Sequence, residues 1–491
     1  MASILSLSLA EKKYGANEAK RSYPFAGFPV PTLDKYLKIL VQDLGHTVVL
    51  VEEYDTEGAV AHTGRKLTAG SGPKERRVYR VVTPGTMVDE SWVDTDQSRY
   101  LLAIAVGNKG HNGQELSLAY TDASTGEFFT KDTTVSQMED ELARITPREV
   151  VLDNSLYESW RKHYNCSEMK PKDASQVEEL LALLRVLGVK VSFADPCRPP
   201  LLYTSASSPT LHPTTPEENA AALLQHHLQY ALRESMPALR QPHKQSNSAF
   251  MQIDAATLQA LEIRHAFRPG GLIATGETQI NSSPLSAKGT LLSVVSKTIT
   301  SSGHRLLIRT LTAPSTSPDV INSRLALVQA FVDREDLKTE LRHELKELGD
   351  IMRIIQRFRG QRGTGRDIWD VGRWIRGAQR ILETIKGEIK IEVGRNNVEV
   401  VRKSEGITRL QEFVDSFRDL DRVASKIESS VDESAIMFRS GDDKSIIDEQ
   451  EAGDALLTSQ ASSKESEAEE KQRIKREKDE REMSEWWIRP Q

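Results

Sequence analysis

Apolar residues change their period along this chain. They come in short runs and alternations before about residue 240 and in helical stripes after residue 285. SYPFAGFPVP is a Pro/Gly-rich turn, and TLDKYLKILVQDLG then places Leu33, Tyr36, Leu37 and Leu40 at helical spacing, with Asp34 in the first turn. Gly45 is the expected stop. HTVVLVEE, residues 46–53, carries Val48 to Val51 as a strand, and VYRVV, residues 78–82, is a second strand. The latter runs into Thr-Pro-Gly-Thr, where Pro84 fixes φ and Gly85 is expected to supply a permissive turn backbone. Helix, strand, loop and strand predict a small α/β domain over residues 1–95.

A second α/β domain is expected over residues 98–235. YLLAIAVG and ELSLAYTDAS read as strands, and Gly126 turns the chain into EFFT. MEDELARITPREVVLD predicts a helix, a loop at Pro147 and a strand at 149–152. VEELLALLRVLG is an amphipathic helix ended by Gly188, and KVSFA is the next strand. Residues 199–217 read as a long loop, ENAAALLQHHLQYAL as a helix and QPHKQSNS as a linker.

LQALEIRHAF then looks helical, and a Gly/Ser/Thr-rich loop occupies 269–290. Leu341, Leu345, Leu348, Ile351, Ile355 and Phe358 form one apolar stripe, and Ile368, Val371, Ile375, Ala378 and Ile381 form another. A mainly helical domain is therefore expected over 245–435. Residues 436–463 are Asp/Ser/Gly-rich and read as a flexible linker. Nine acidic and seven basic residues fill 464–485, so the 464–491 tail is an exposed helix or a disordered run. The final WWIRPQ is apolar enough to suggest an interrupted chain.

Composition changes this picture little. A formal net charge of -6 gives no global case for nucleic-acid binding, although it leaves room for a local basic face. Cys166 and Cys197 are the only cysteines, which suits a reducing compartment. No 18-residue apolar run predicts a membrane span, and the first residues lack secretory or transit features.

Candidate chemistry is sparse. There is no G-x-x-x-x-G-K-[ST], HExxH, CxxC or GxSxG run, and GQRGTGRD reads as an inter-helix loop. Asp122, with Glu115 and Asp153 as companions, invites comparison with a carboxylate nuclease that would need a divalent metal. Structural strand-end acids are the alternative. His226 and His227 are neighbours, so a helix points them apart. Arg353, Arg357, Arg359, Arg362, Arg366, Arg373, Arg376 and Arg380 share their segment with only two acids, Asp367 and Asp370. They are candidate contacts to DNA phosphates around one helix turnaround. The competing reading pairs them with the acids of residues 334–350.

Three separated landmarks resemble one family. PFAGFPVPTLDKYLKILVQDLGHTVVLVEE with RRVYRVVTPGT is similar to the mismatch-recognition domain of MutS-type DNA mismatch repair proteins. YLLAIAVG with LSLAYTDASTGEF resembles the start of their connector domain. LLSVVSKTITSSGHRLLIRTLTAPSTSPDVINSRLALVQAF resembles the opening of their helical core, or lever. The insertions and the FAGFPVP form lean toward the mitochondrial fungal branch.

The resemblance implies an α/β half, a mismatch-recognition-like domain plus a layered RNase H-like connector, followed by a mainly α-helical core. It implies double-stranded DNA with mismatches as partner, a homodimer for the full-length parent, and no membrane. The family reads mismatches with a Phe and Glu in an F-x-E motif, which occurs nowhere in these residues. The expectation is thus a fragment lacking wedge, clamp and C-terminal ATPase. No cofactor is expected in this chain, and ATP and Mg only in the full-length parent. A noncatalytic degenerate scaffold is the alternative function. The mitochondrion is the expected compartment and the nucleus the alternative.

Overall fold

The computed structural model describes residues 5, 7, 10–14, 21–28, 32–55, 74–88, 94–110, 113–165, 175–195, 215–237, 239–264, 289–395 and 405–433. The expected linker at 436–463, the tail at 464–491, both cysteines and most of the loops at 199–217 and 269–290 lie outside the described residues. Two compact units result: Met1–Pro318 with Ile355–Arg362, and Asp319–Ile354 with Gly363–Gln491.

The first unit opens with an antiparallel hairpin, β1 (Ala10–Tyr14) and β2 (Arg21–Phe25). Helix α1 (Leu33–Leu37) widens into a π-helical segment over Lys38–Asp43, and Gly45 follows with φ of 64°. A second hairpin joins β3 (Val48–Asp55) to β4 (Lys74–Val82), paired from Val48 opposite Val82 to Asp55 opposite Lys74 with a register shift between Leu50 and Val51. Leu37, Leu40, Val41, Val82 and Met87 form a small local core. Val49, Val51 and Val78 stay exposed, as a two-stranded ribbon with one covered face requires.

A six-stranded mixed sheet dominates this unit. Its strands are β5 (Tyr100–Gly110), β6 (Gly113–Asp122), β7 (Glu127–Thr134), β8 (Glu149–Asp153), β9 (Lys190–Ala194) and β10 (His243–Lys244), ordered β10-β7-β6-β5-β8-β9. β5, β6 and β7 form an antiparallel meander, while β8 and β9 add in parallel. The crossovers use α2 (Met138–Ile145), then α3 (Tyr157–Asn165) and α4 (Gln176–Val186). Helix α5 (Pro216–Leu232) covers the opposite face.

Period two divides the side chains between those faces. Leu102, Ile104, Leu116, Leu118, Val150 and Leu152 meet α2 and α4. Leu101, Ala103, Ala105 and Ala119 meet Leu223, Leu224 and Leu228 of α5. Alanines on the α5 side let that helix sit close, and the bulk goes to the other face. Both faces are covered, which is why YLLAIA has no polar alternation. Capping boxes at Ser175/Glu178 and Thr215/Glu218 start α4 and α5, and α4 ends before Gly188 at φ of 62°.

Residues 245–318 cluster with this sheet-bearing unit. They carry α6 (Ala255–Ala260), α7 (Leu291–Val295) and α8 (Ser301–Thr312). Asp140 Oδ1 accepts the Ala255 N–H at 2.8 Å, and Arg305 donates to the Thr95 carbonyl at 2.6 Å. Compactness therefore divides the chain at Pro318, well after the change of composition near residue 247.

Long helices make the rest: α9 (Pro318–Val332), α10 (Glu335–Lys346), α11 (Ile351–Arg359), α12 (Gly365–Arg395), α13 (Glu405–Asp415) and α14 (Asp421–Ser430). In the second unit Ala330, Leu337, Leu341, Ile385, Ile389, Ile407, Leu410 and Val414 form the core. The stripe from Leu341 to Phe358 is not one helix. It breaks at residues 347–350 between α10 and α11, and Ile354 is buried where Ile355 was expected. Four residues are little more than one helical turn, so the apolar spacing in the sequence runs across the break and hides it, although the buried position shifts by one.

Candidate functional site

The eight candidate arginines do not form a bare basic surface. Arg357, Arg359 and Arg362 belong to the first unit and the other five to the second. In the second unit each faces an acid. Arg353 is buried with Nε 3.5 Å from Asp350, Arg373 lies 3.3 Å from Glu347 and Arg380 2.8 Å from Glu344. Arg366 is 4.0 Å from Asp370. Arg376 is the most committed: its guanidinium forks onto Glu428 at 2.8 Å through Nε and Nη2, and Nη1 donates to Asp421. Hydrogen bonding from Arg376 holds the Glu428 carboxyl below the ordinary carboxylate range.

Glu344, Glu347 and Asp350 are acids of the segment that the competing reading named. The structure adds Asp421 and Glu428 from α14, which lie too far along the sequence for local charge counting to find. These five candidate arginines therefore each stand beside an acid of the same helical unit. Arg359 is exposed, while Arg357 and Arg362 are half-buried and have partners of their own.

The carboxylate nuclease reading is also corrected. Asp122 ends β6 and pairs in register with Tyr100, whereas Glu115 lies at the other end of that strand. Asp153 ends β8, which runs parallel to β5, so it too lies at the far end of the sheet from Asp122. Seven residues of strand separate Asp122 from Glu115, roughly 23 Å. Asp122 is fully buried, accepting the Arg99 N–H at 3.0 Å and the Ser124 N–H and hydroxyl at 3.0 and 2.6 Å. It shapes a turn. Among the described residues no group of three His, Cys, Asp or Glu is placed to hold a metal ion.

A second polar cluster closes on itself in the same way. Glu141 pairs with both Lys131 and Arg144, and Tyr120 donates to Gln245 at 2.7 Å. Lys131, Glu141, Arg144 and Gln245 line a small cleft with Met251, yet the charges there satisfy one another.

The most developed polar site was absent from the sequence reading. Glu149, the first residue of β8, is fully buried. Its Oε2 accepts the Gly85 N–H at 3.0 Å and the Thr83 hydroxyl at 2.5 Å, and its Oε1 accepts the Ser192 hydroxyl at 2.5 Å. His227 Nε2 of α5 stands 3.2 Å from Oε1, near enough for a charge contact though not aligned as a hydrogen bond. Burial pushes the carboxyl upward, but His227, Ser192 and Thr83 outweigh it and hold Glu149 below the ordinary range. Gly85 has no positive φ, contrary to the permissive-turn expectation. Its role is close approach, since a Cβ there would lie 2.7 Å from Leu101 and 2.8 Å from Glu149. His226 and His227 do point apart, and only His227 reaches this site.

Three family matches follow the structural order. Residues 1–91 match MutS domain I, residues 99–191 match MutS domain II and residues 256–433 match MutS domain III. The class is thus a modular chain with two sheet-bearing domains ahead of a helical one. The chain belongs to the MutS family of DNA mismatch repair proteins. It is 28% identical over 368 residues to the DNA mismatch repair protein MutS of Cereibacter sphaeroides, covering 74% of this chain and 37% of that one. It is 28% identical over 421 residues to MutS of Orientia tsutsugamushi, covering 84% and 42%. Over 365 residues it is 29% identical to MutS of Rhodopseudomonas palustris, covering 74% and 36%. The chain spans about two-fifths of the length of these relatives. Among the described residues no helix is long and apolar enough to cross a membrane.

Proposed function

We propose that this chain supplies the mismatch-recognition, connector and core portions of a mismatch-repair protein that binds mismatched double-stranded DNA. The observation that carries the reading is the ordered succession of MutS domains I, II and III, borne on two sheet-bearing parts and a helical one. The full-length protein binds ATP with Mg²⁺ in a nucleotide-binding domain, and it works as a homodimer. Its compartment is the mitochondrion, following the branch that FAGFPVP resembles, with the nucleus as the alternative. A tagged full-length gene product followed by cell fractionation tests the compartment.

Within these 491 residues the duplex contact is electrostatic and weakly selective. No F-x-E run offers a stacking Phe with a partner Glu, and phosphate contacts are the same in every sequence. Anisotropy titration of matched and G·T-mismatched duplexes is the test. Salt-sensitive binding with less than about tenfold mismatch preference is expected. Larger selectivity would place mismatch recognition in residues other than an F-x-E pair. Binding to neither duplex would favour the scaffold reading, for which the acid-paired arginines are the specific support.

A further inference from the structure

The β3–β4 hairpin has a core of its own, β4 packs against α5 and Val88 joins the apolar core of the sheet, and a polar contact fixes the turn between them. Thr83 Oγ and the Gly85 N–H, both in the turn that ends β4, converge on Glu149 Oε2. The turn itself is stiff. Thr86 Oγ accepts the Thr83 N–H at 3.0 Å, and Arg80 Nη2 donates to the Thr86 carbonyl at 2.8 Å. On the sheet side, Glu149 is fixed by Ser192 of β9 and faces His227 of α5, with Lys190 opposite it in register. A lesser tie runs from Arg99 Nη2 to Gln42 at 3.3 Å.

From this geometry we propose that Glu149 is a latch that fixes the β3–β4 hairpin on the central sheet. The latch has two states. Hydrogen bonds to a carboxylate are directional and strong, so the docked turn has one geometry. A buried carboxylate stripped of its donors is costly, so the turn leaves only when water reaches Glu149. Gly85 enforces the fit, because any side chain would lift the turn off Leu101 and Glu149. Movement of the sheet therefore carries the hairpin with it.

The test is a spin-label distance measurement on the full chain, with Cys166 and Cys197 replaced by serine. Labels go at Val51 of β3 and Val186 of α4, which are 53% and 73% exposed. Thr83→Val removes one donor without touching the sheet, whereas Thr83→Ser restores it. Thr83→Val is expected to broaden the distance distribution and to speed exchange of the Gly85 amide by about tenfold. Thr83→Ser should match the parent, and β5 and β6 amides should keep their protection in both. A Thr83→Val distribution that superimposes on the parent overturns the latch. Broadening accompanied by lost β5–β6 protection overturns it too, because Glu149 would then serve the core of the sheet. Glu149→Gln is the second variant, and hairpin order unchanged in it would be equally fatal.

Discussion

Salt dependence separates phosphate-binding arginines from packed ones. Each phosphate neutralised on a B-form duplex contributes about −0.9 to the slope of log affinity against log salt. Eight free arginines would give a slope of about −7, or about four orders of magnitude between 50 and 200 mM salt. The structure commits Arg353, Arg366, Arg373, Arg376 and Arg380 to acids. An exposed arginine that turned from its acid to a phosphate would leave the acid beside the duplex, so little net charge is gained. Of the other three, Arg357 and Arg362 have partners of their own, so even counting all three the slope is about −3 at most, a loss of about 40-fold over the same range. The perturbation is Arg376→Gln, read by anisotropy at several salt concentrations. Its slope should equal that of the parent, while the helical signal melts earlier because Glu428 and Asp421 lose their common partner. A parent slope steeper than about −5, or a variant slope flatter by about one, would refute the packing assignment.

Acid sensitivity should trace to Glu149. Its carboxyl is held below the ordinary range in the fold, so its contribution is complete above the unfolded value of about 4.3 and is lost as pH falls through the folded value. Urea midpoints measured downward from neutral pH should fall less steeply in Glu149→Gln, and equal slopes would count against the assignment. Gly406→Ala should cost about 1–3 kcal/mol by urea unfolding, since its Cβ would meet the Ala326 carbonyl oxygen at 2.8 Å and the Ala330 Cβ at 2.9 Å. Gly377→Ala should cost less, because the one close clash of its Cβ is with the flexible end of the Leu348 side chain; the reverse order would contradict the packing described. The purified chain should release no phosphate from ATP above background, there being no G-x-x-x-x-G-K-[ST] cradle, and release that survives repurification would overturn this.

The elements that sequence made legible are those with an unambiguous local period. YLLAIAVG, LSLAYTD and VEELLALLRV became β5, β6 and α4 because burial on both sheet faces, or on one helix stripe, leaves its mark within ten residues. The α10–α11 break was invisible because the apolar spacing in the sequence runs straight across it. The Arg376 clasp and the Glu149 site were invisible for another reason. Each joins residues between 43 and 66 positions apart, or more, and pairing at that range leaves no local period. Glu149 opens the run EVVLD, where a strand-end acid reads as solvent-facing. Only the fold shows that four groups surround it.

The strap at residues 243–247 closes one side of the central sheet. β10 adds just two residues beside Phe129 and Thr130, yet the Gln245 N–H then reaches the Thr130 carbonyl at 2.8 Å and the Asn247 side chain reaches the Asp132 carbonyl at 3.0 Å. Strap residues thereby occupy the β7 backbone that a foreign strand would otherwise use. β10 itself is too short to template another chain. A sheet domain excised before His243 would expose an eight-residue β7 edge, running Glu127–Thr134, and with it a route to self-assembly that the intact chain keeps shut.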